Sequence, residues 1–185
     1  PTAVYLRSVT TQGLSGAYGA NYTNMIGAGM DSEASDAIIA IVDKPDPRPV
    51  WYCCGGCTRE VAQAIWKVQH TRTTAQLQTF LSKLRIFQIA HQDGTIDWLM
   101  TNFPNLFIIY STASTYWGMT SAEGDSTLCD LNWVNTNIIN GHGPLGAIYP
   151  PQGCCVSGVQ EGDTPSWFSL VSAMRGLNDP ENPAT

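Results

Sequence analysis

The feature that most constrains this chain is an apolar run that ends in a glycine turn and continues as a helical pattern. Residues 49–54 read PVWYCC, Gly55 and Gly56 follow, and apolar residues then recur at helical spacing through 57–68. The same order returns with the runs RIFQIA and LFIIYS, which are separated by further helical patterns. Strands that alternate with helices predict an α/β fold with a Rossmann-like, mostly parallel sheet and flanking helices.

The remaining elements follow from the same periodicity. LFIIYS is apolar on both faces, which is typical of a strand covered by helices on both sides. The stretches 14–30, 112–125 and 140–153 are expected to be loops, and no internal repeat or linker divides the single domain expected over 1–185. A helical pattern opens the chain, a brief strand is expected near 156–159, and further helices are predicted over 32–44, 57–68, 73–84, 94–103, 126–139 and 164–177.

Charge and hydropathy exclude two classes of partner. The chain has 15 acidic and nine basic residues, a formal charge of -6, and no cluster of Lys or Arg, so nucleic-acid binding is not expected. No apolar run reaches the roughly 20 residues that a membrane helix needs. The chain opens at Pro1 without a basic-then-apolar leader, so any signal peptide is expected to be already removed or not included.

The cysteines point to an oxidising environment. There are six, and five of them fall in two tight clusters: Cys53, Cys54, Cys57, Cys129, Cys154 and Cys155. An even cysteine count, few lysines and a glycosylation sequon at Asn21 together predict a secreted or extracellular protein with disulfides. Six cysteines allow 15 pairings, and the sequence does not choose among them.

The stretch VQEGDTPSWF, residues 159–168, has two interpretations. Asp163 before Thr-Pro is a good helix N-cap, and the helix dipole favours a carboxylate there. Alternatively, Asp163 ends a strand and ligates a hard cation or positions a substrate hydroxyl. Glu161 would then bind substrate or act as a base, or else it is solvated.

The motif CCGGC allows three interpretations. Cys54 and Cys57 form a C-x-x-C after a strand and at a helix start, where a helix N-terminus lowers a thiol pKa in redox proteins. The pair could equally belong to structural disulfides with Cys154 or Cys155, or to a zinc site of four thiolates. The extracellular features favour the disulfides.

Other candidate residues lie in loops after predicted strands. Asp93 in AHQDGT is either a helix cap or a pocket carboxylate with a catalytic role, and His91 beside it is a possible base. His142, between two glycines, is a second candidate catalytic residue. Trp117 is a loop aromatic that could stack on a sugar or base, although such residues more often cover the core.

Several stretches together resemble a known family over Tyr5 to Pro183. The motifs DKPDPRPVW, AQAIWKV, SKLRIFQI, HGPLGAIYP and EGDTPSW are similar to the nucleoside-hydrolase-like domain of secreted cellulose-binding-type proteins. The resemblance implies a pocket at the strand ends. In nucleoside hydrolases that pocket holds a calcium ion, which binds ribose hydroxyls and activates water. The resemblance maps a metal-ligating aspartate to Asp163 and a ligating backbone carbonyl to a position near Cys54.

The chain also departs from the family pattern. The aspartate-rich turn that should follow the first strand is absent, and an acidic SDQDD-like turn reads AHQDG, with His91 and Gly94 at two of its acidic positions. We therefore expect a further segment or protein chain to complete the sheet, because a sheet that lacks its first strand exposes unpaired edges.

These observations leave three hypotheses for function. The first is metal-assisted hydrolysis of an N-glycosidic or related sugar bond, with a carbohydrate or nucleoside-like substrate and calcium. The second is a non-catalytic structural or glycan-binding protein on the same fold. The third is thiol–disulfide chemistry at Cys54 and Cys57.

Overall fold

The computed structural model of the chain describes residues 1–14, 19–110, 126–128, 130–151 and 158–159. The chain forms two compact units, residues 1–112 and 113–185. In chain order, the first unit contains α1 (Ala3–Ser8), a 3-10 turn (Tyr22–Asn24), α2 (Glu33–Val42), β1 (Val50–Cys54), α3 (Arg59–Thr71), α4 (Thr74–Lys83), β2 (Leu84–Gln88), α5 (Thr95–Asn102) and β3 (Phe107–Tyr110).

The first unit confirms the predicted α/β class. Its strands form a parallel sheet in the order β1-β2-β3, and each parallel crossover contains helix, as such connections require. Residues in one row of the register share a face of the sheet, so Trp51, Arg85 and Phe107 lie side by side. None of the helices in the described residues is both long enough and apolar enough to span a membrane.

The core lies between the sheet and the helices. The predicted face of α3 is fully buried, and so are Leu84 and Ile86 of β2. Helix α2 begins with a capping box between Ser32 and Ser35, as the sequence signals of its N-terminus predict. The core cluster consists of Met25, Ile26, Val42, Cys54, Val61, Ala62, Ile65, Val68, Leu77, Phe80, Leu81, Leu84, Ile86, Trp98, Leu99, Phe103 and Leu106.

The stretch 14–30, expected to be loop, contributes to this core. Its Met25 and Ile26 are buried, and two polar side chains of α3 hold the backbone around them. Arg59 Nε donates to the Met25 carbonyl at 2.9 Å, and Arg59 Nη2 donates to the Met30 carbonyl. Gln63 exchanges two hydrogen bonds with the backbone of Gly27, at 2.8 and 3.0 Å. Four backbone groups between Met25 and Met30 are therefore paired by side chains of α3.

Two predictions about the sheet were wrong in detail. Strand β3 is not covered on both faces: Phe107 is 46% exposed, and the rest of β3 is half-buried. Leu84 was assigned to the helix before it, but α4 ends at Lys83 and Leu84 is the first residue of β2. Leu84 is buried in either assignment, so its apolar character did not distinguish helix from strand.

The second unit is described only in part. It contains a 3-10 turn (Ser126–Leu128), α6 (Leu131–Val134), a π-helix (Asn135–Ile139) and α7 (Gly143–Ala147). The Asp130 side chain caps α6 by accepting from the Trp133 N–H at 2.7 Å. The loop expected over 140–153 was wrong where α7 forms, with Pro144 in its first turn. Gly158 and Val159 do not form a strand, and residues 156–157 and 164–177 lie outside the described residues.

Candidate functional site

The carboxyl ends of β1 and β2 carry two turns that are tied together by side chains. Gln88 Nε2 donates to the Gly56 carbonyl at 2.9 Å, and Gln92 Nε2 donates to the Gly55 carbonyl at 2.9 Å. The hydroxyls of Thr58 and Thr95 are 2.7 Å apart. In parallel α/β sheets, ligands bind beyond this edge, so these turns form the candidate site.

Asp93 lies at the centre of the site and is only 1% exposed. Its Oδ1 accepts hydrogen bonds from the backbone N–H of Thr95, at 2.8 Å, and from the Thr95 hydroxyl. Its Oδ2 is buried and has no hydrogen-bond partner by geometry among the described residues, although the Cys57 thiol, a weak donor, lies beside the carboxylate. One oxygen therefore holds the first N–H of α5, although Gly94 is the N-cap residue, and the catalytic role of Asp93 stays a prediction.

Gln88 is a site residue that the sequence interpretation missed. It is the last residue of β2 and is buried, and its Oε1 also lacks a partner in the described residues. Its Nε2 is fully used by the carbonyls of Gly56 and Ala90. The available signal was a polar residue that ends an otherwise apolar strand at the carboxyl edge of the sheet.

Three cysteine thiols surround this edge, and all three are free in this structure. Burial, a hydrogen bond to the Asp93 carboxylate and the charge of that carboxylate together raise the pKa of the Cys57 thiol to about 12. Burial also raises the pKa of Cys54 well above its ordinary value, and it raises that of Cys53. The lowered thiol pKa expected for a redox pair is absent here, because burial and a neighbouring negative charge outweigh the helix N-terminus.

Disulfide bonding of Cys53, Cys54 and Cys57 stays a prediction. Cys53 and Cys54 are consecutive strand residues and point to opposite faces of the sheet. Cys53 is exposed, whereas Cys54 lies in the core. Cys129, Cys154 and Cys155 lie outside the described residues.

His91 and Asp97 form an exposed pair near the start of α5. His91 Nε2 is 2.9 Å from Asp97 Oδ2, and the two side chains are about half exposed. The Tyr110 ring lies 6.5 Å from the His91 ring, measured between centroids. The pair is more open to solvent than Asp93, so it could contact a ligand at the rim of the site.

A close backbone contact explains why position 94 is a glycine. Its N–H donates to the Ala20 carbonyl at 2.9 Å, so the segment before the 3-10 turn lies against it. A Cβ at this position would lie 3.1 Å from the backbone nitrogen of Tyr22. A larger side chain would therefore displace this segment. At Gly56, in contrast, a Cβ would meet no atom of the described residues within 4 Å, so on that side the turn is open to a ligand.

The other predicted residues lie elsewhere or outside the described residues. His142 belongs to the second unit, where its Nε2 is 3.0 Å from the Thr136 carbonyl at the end of the π-helix. Asn21 is exposed and caps the 3-10 turn by accepting from the Thr23 N–H at 3.1 Å, so glycosylation there stays a prediction. Trp117, Glu161 and Asp163 lie outside the described residues.

The described residues alone do not make a calcium site. They contain no group of three or more His, Cys, Asp or Glu side chains that could hold a metal ion. The Cys54 carbonyl already accepts the Ile89 N–H at 3.3 Å. Asp93 Oδ2 and Gln88 Oε1 are suitable oxygen ligands, but calcium takes six to eight oxygens.

Comparison with known proteins places this geometry in a family. A solved structure of a nucleoside hydrolase-related hypothetical protein from Saccharophagus degradans, associated with carbohydrate metabolism, matches with a TM-score of 0.68 and 43% identity. The match covers 92% of this chain and 37% of that one, so this chain spans little more than a third of its relative. No curated protein matches. The family model for the nucleoside hydrolase-like domain of cellulose-binding Sde182 matches residues 1–185, and the chain belongs to that family.

Proposed function

We propose that this chain forms one wall of a binding pocket for a carbohydrate or nucleoside-like molecule, with Asp93 accepting a hydrogen bond from a ligand hydroxyl. The observation that carries the proposal is the pair of buried oxygens without partners, Asp93 Oδ2 and Gln88 Oε1. Both are acceptors, and a buried acceptor without a donor costs about 1–3 kcal/mol. A sugar offers several hydroxyl donors of the kind that both atoms lack.

The surroundings of these oxygens support a sugar rather than an ionic ligand. The Gly56 backbone is open on the side where a Cβ would lie, so a ring can approach the turn closely. The described residues around the two oxygens supply hydroxyls, amides and protonated thiols, with Asp93 as the charged group. The family is described as cellulose-binding, and the solved relative is associated with carbohydrate metabolism.

The test is ligand-induced thermal stabilisation with inosine and with cellobiose. We expect at least one of the two to raise the melting temperature of the chain, because ligand binding to the native state stabilises it. Asp93→Asn should remove the shift, since the amide that replaces Oδ2 donates instead of accepting. Asp46→Asn is the matched control, because Asp46 is partly exposed and precedes β1, away from the carboxyl edge, and it should keep the shift. Equal shifts in the two variants would refute a role for Asp93.

Metal-assisted hydrolysis of an N-glycosidic or related bond is the second candidate. The same two oxygens favour it, because a hard cation could take the place of the hydroxyl donors. Asp163 and residues beyond those described would then have to complete the ligand shell. Release of hypoxanthine from inosine in the presence of calcium, and its loss with a chelator, would support hydrolysis. Binding without turnover under both conditions would leave the glycan-binding role.

Thiol–disulfide chemistry is the least favoured candidate. A nucleophilic cysteine must be a thiolate, and the pKa values of Cys54 and Cys57 are raised rather than lowered. The pair is therefore protonated at neutral pH, which favours a packing role.

The open edge of β1 supports the further segment expected to complete the sheet. Within the described sheet β1 has one neighbour, and its Trp51 is 45% exposed. A groove of about 360 Å³ lies along β1 and α2, lined by Ala34, Ile38, Ile41, Val50 and Trp51 among others. Exposed strand edges recruit strands, and the solved relative is much longer than this chain. We expect amide exchange over 50–54 to be slower when the further segment is present than in this chain alone. Equal rates would argue against a pairing strand.

A secreted location agrees with this function. Cellulose is an extracellular polymer, and the family is described as cellulose-binding. An intact mass that falls by one glycan when Asn21 is changed to Gln would support secretion through a glycosylating pathway. No loss of a glycan from the intact mass on Asn21→Gln would mean that Asn21 is not glycosylated.

A further inference from the structure

A second pocket opens at the opposite edge of the same sheet. It has a volume of about 470 Å³ and lies at the amino ends of β2 and β3, between the end of α4 and the turn after α5. This volume is within the usual range for small-molecule sites. Leu81, Phe103 and Leu106 are buried and contribute apolar surface to it, whereas the polar residues that line it are largely exposed. Neither the family resemblance nor the Asp93 site accounts for this pocket.

The polar lining of this pocket is almost entirely uncharged. It is made of the side chains of Gln78, Ser82, Asn102 and Asn105, and the amides of Gln78 and Asn105 have no hydrogen-bond partner among the described residues. Arg85 is the one cation in the lining, and its Nη1 already donates to the carbonyls of Ser82 and Leu84, at 2.9 and 2.7 Å. Among the described residues, no carboxylate lines the pocket. These groups suit a neutral ligand with several hydroxyls, because an amide can donate and accept at once.

Aromatic surface adjoins these amides. Phe107 lines the pocket, and Trp51 lies beside it with 5.7 Å between ring centroids and an interplanar angle of 83°. The Arg85 guanidinium lies 5.0 Å from the centre of the Phe107 ring. In the sheet register, Arg85 lies between Trp51 and Phe107. Both rings are about half exposed, although large aromatic side chains usually gain from burial. Aromatic rings next to free amides can hold the apolar face of a sugar ring and its hydroxyls together.

We propose that this pocket is a binding site for a neutral oligosaccharide, with Gln78 and Asn105 bonding hydroxyls and Phe107 contacting a sugar face. A cationic oligosaccharide would find no carboxylate in the described lining, and an anionic one would find Arg85 alone, whose Nη1 already donates to two carbonyls. A peptide strand would meet the rim of the sheet at its strand starts rather than along an open edge. The site is separate from Asp93, so the two proposals can fail independently.

The test is isothermal titration of the full chain with cellohexaose. We expect binding that Phe107→Ala weakens about tenfold, because the variant removes the aromatic face against which a sugar ring packs. Asn105→Ala should weaken it several-fold, and Phe107→Tyr should preserve it. Tyr5→Ala removes an exposed aromatic from α1 and serves as the matched control, with unchanged affinity. Circular dichroism and melting temperature verify that each variant is folded.

The proposal would be overturned if the full chain did not bind cellohexaose, or if Phe107→Ala bound it as tightly as Tyr5→Ala does. It would also be overturned if an anionic oligogalacturonide of equal length bound as well as cellohexaose. Loss of cellohexaose binding in Asp93→Asn with retention in Phe107→Ala would assign the ligand to the carboxyl edge and would also overturn it. Retention in Asp93→Asn with loss in Phe107→Ala would support it.

Discussion

The two edges of the sheet use the same three strands in opposite ways. At the carboxyl edge, polar side chains are buried and bonded across two turns, and two acceptor oxygens are left without donors. At the amino edge, polar side chains are exposed around an apolar floor, and two amides are left without partners. The carboxyl edge resembles a rigid, preorganised site, whereas the amino edge resembles an open groove.

This difference follows from what each edge must satisfy. Buried polar groups cost free energy unless they are paired, so the carboxyl edge has a connected network that fixes each side chain. Solvent pairs the exposed amides of the amino edge at little cost, so those side chains are free to change partner. The first edge favours a ligand that fits a fixed set of atoms, and the second favours repetitive ligands of lower affinity.

The largest expected difference concerns the thiols of the carboxyl edge. With a pKa of about 12, Cys57 at pH 8 should react with iodoacetamide on the order of a thousandfold more slowly than an ordinary cysteine. Asp93→Asn should speed the reaction, because it removes the negative charge beside the thiol. The measurement is mass-spectrometric alkylation kinetics, with the exposed Cys53 as internal comparison. Equal native and urea-unfolded rates at Cys57 would show that the carboxyl edge is not closed.

The next largest effect concerns the stability of the core that the two edges of the sheet share. Ile86 lies in the middle of β2 and is fully buried, so Ile86→Ala should reduce the free energy of unfolding by about 2–5 kcal/mol. Ile148→Ala is the matched control, because Ile148 is exposed, and it should change stability by less than about 0.5 kcal/mol. Urea titration measures both. If the two variants lost similar amounts of unfolding free energy, the packing of Ile86 in the sheet would not be a main source of the stability of the first unit.

A smaller effect separates the structural role of Asp93 from its ligand role. Asp93→Ala removes the acceptor for the N–H and hydroxyl of Thr95 inside a buried site, so we expect a loss of about 1–3 kcal/mol. Asp93→Asn keeps an Oδ1 acceptor and should lose less. Asp97→Ala should be near neutral, since Asp97 is exposed. If Asp93→Asn were as unstable as Asp93→Ala, the negative charge itself would be needed for folding.

The smallest effect is electrostatic and lies at the ends of α2 and α3. Arg72 donates two hydrogen bonds to Asp43, at 2.7 and 2.6 Å, and these bonds hold the pKa of Asp43 below its usual value. The stabilisation is present above the pKa of about 3.9 of an unfolded aspartate and is lost as the pH falls through the lowered folded value. Asp43→Asn should therefore cost less than about 1 kcal/mol at pH 7, because the pair is partly exposed, and less than that at pH 2. Urea titrations at both pH values measure this, and a cost at pH 2 as large as at pH 7 would contradict it.

Much of the first unit could be predicted from periodicity. The buried faces of α3 and α4 and the apolar strands gave strong signals because each element buries a regular set of positions. The boundary at Leu84 could not be placed, since a buried leucine fits the end of a helix and the start of a strand equally well. Helix α7 was missed because its glycines and proline are typical of loops, and one turn of helix needs little propensity.

The candidate site was predictable at Asp93 and not at Gln88. A carboxylate after a strand is a recognised signal, whereas a glutamine at the end of a strand is usually read as a surface residue. The raised thiol pKa values were also not predictable, because they depend on burial and on Asp93, which is distant in sequence from Cys57. Contacts between distant turns set the chemistry of this edge, and single-sequence patterns do not report them.

The pairing of Arg59 and Gln63 with residues 25–30 has a consequence for dynamics. A stretch that contributes buried side chains and takes its backbone partners from α3 cannot open without breaking that helix's contacts. Residues 25–30 and α3 should then unfold as one cooperative unit. Hydrogen exchange at the Gly27 amide would follow the slow exchange of the helix, although this stretch has the composition of a fast-exchanging surface loop.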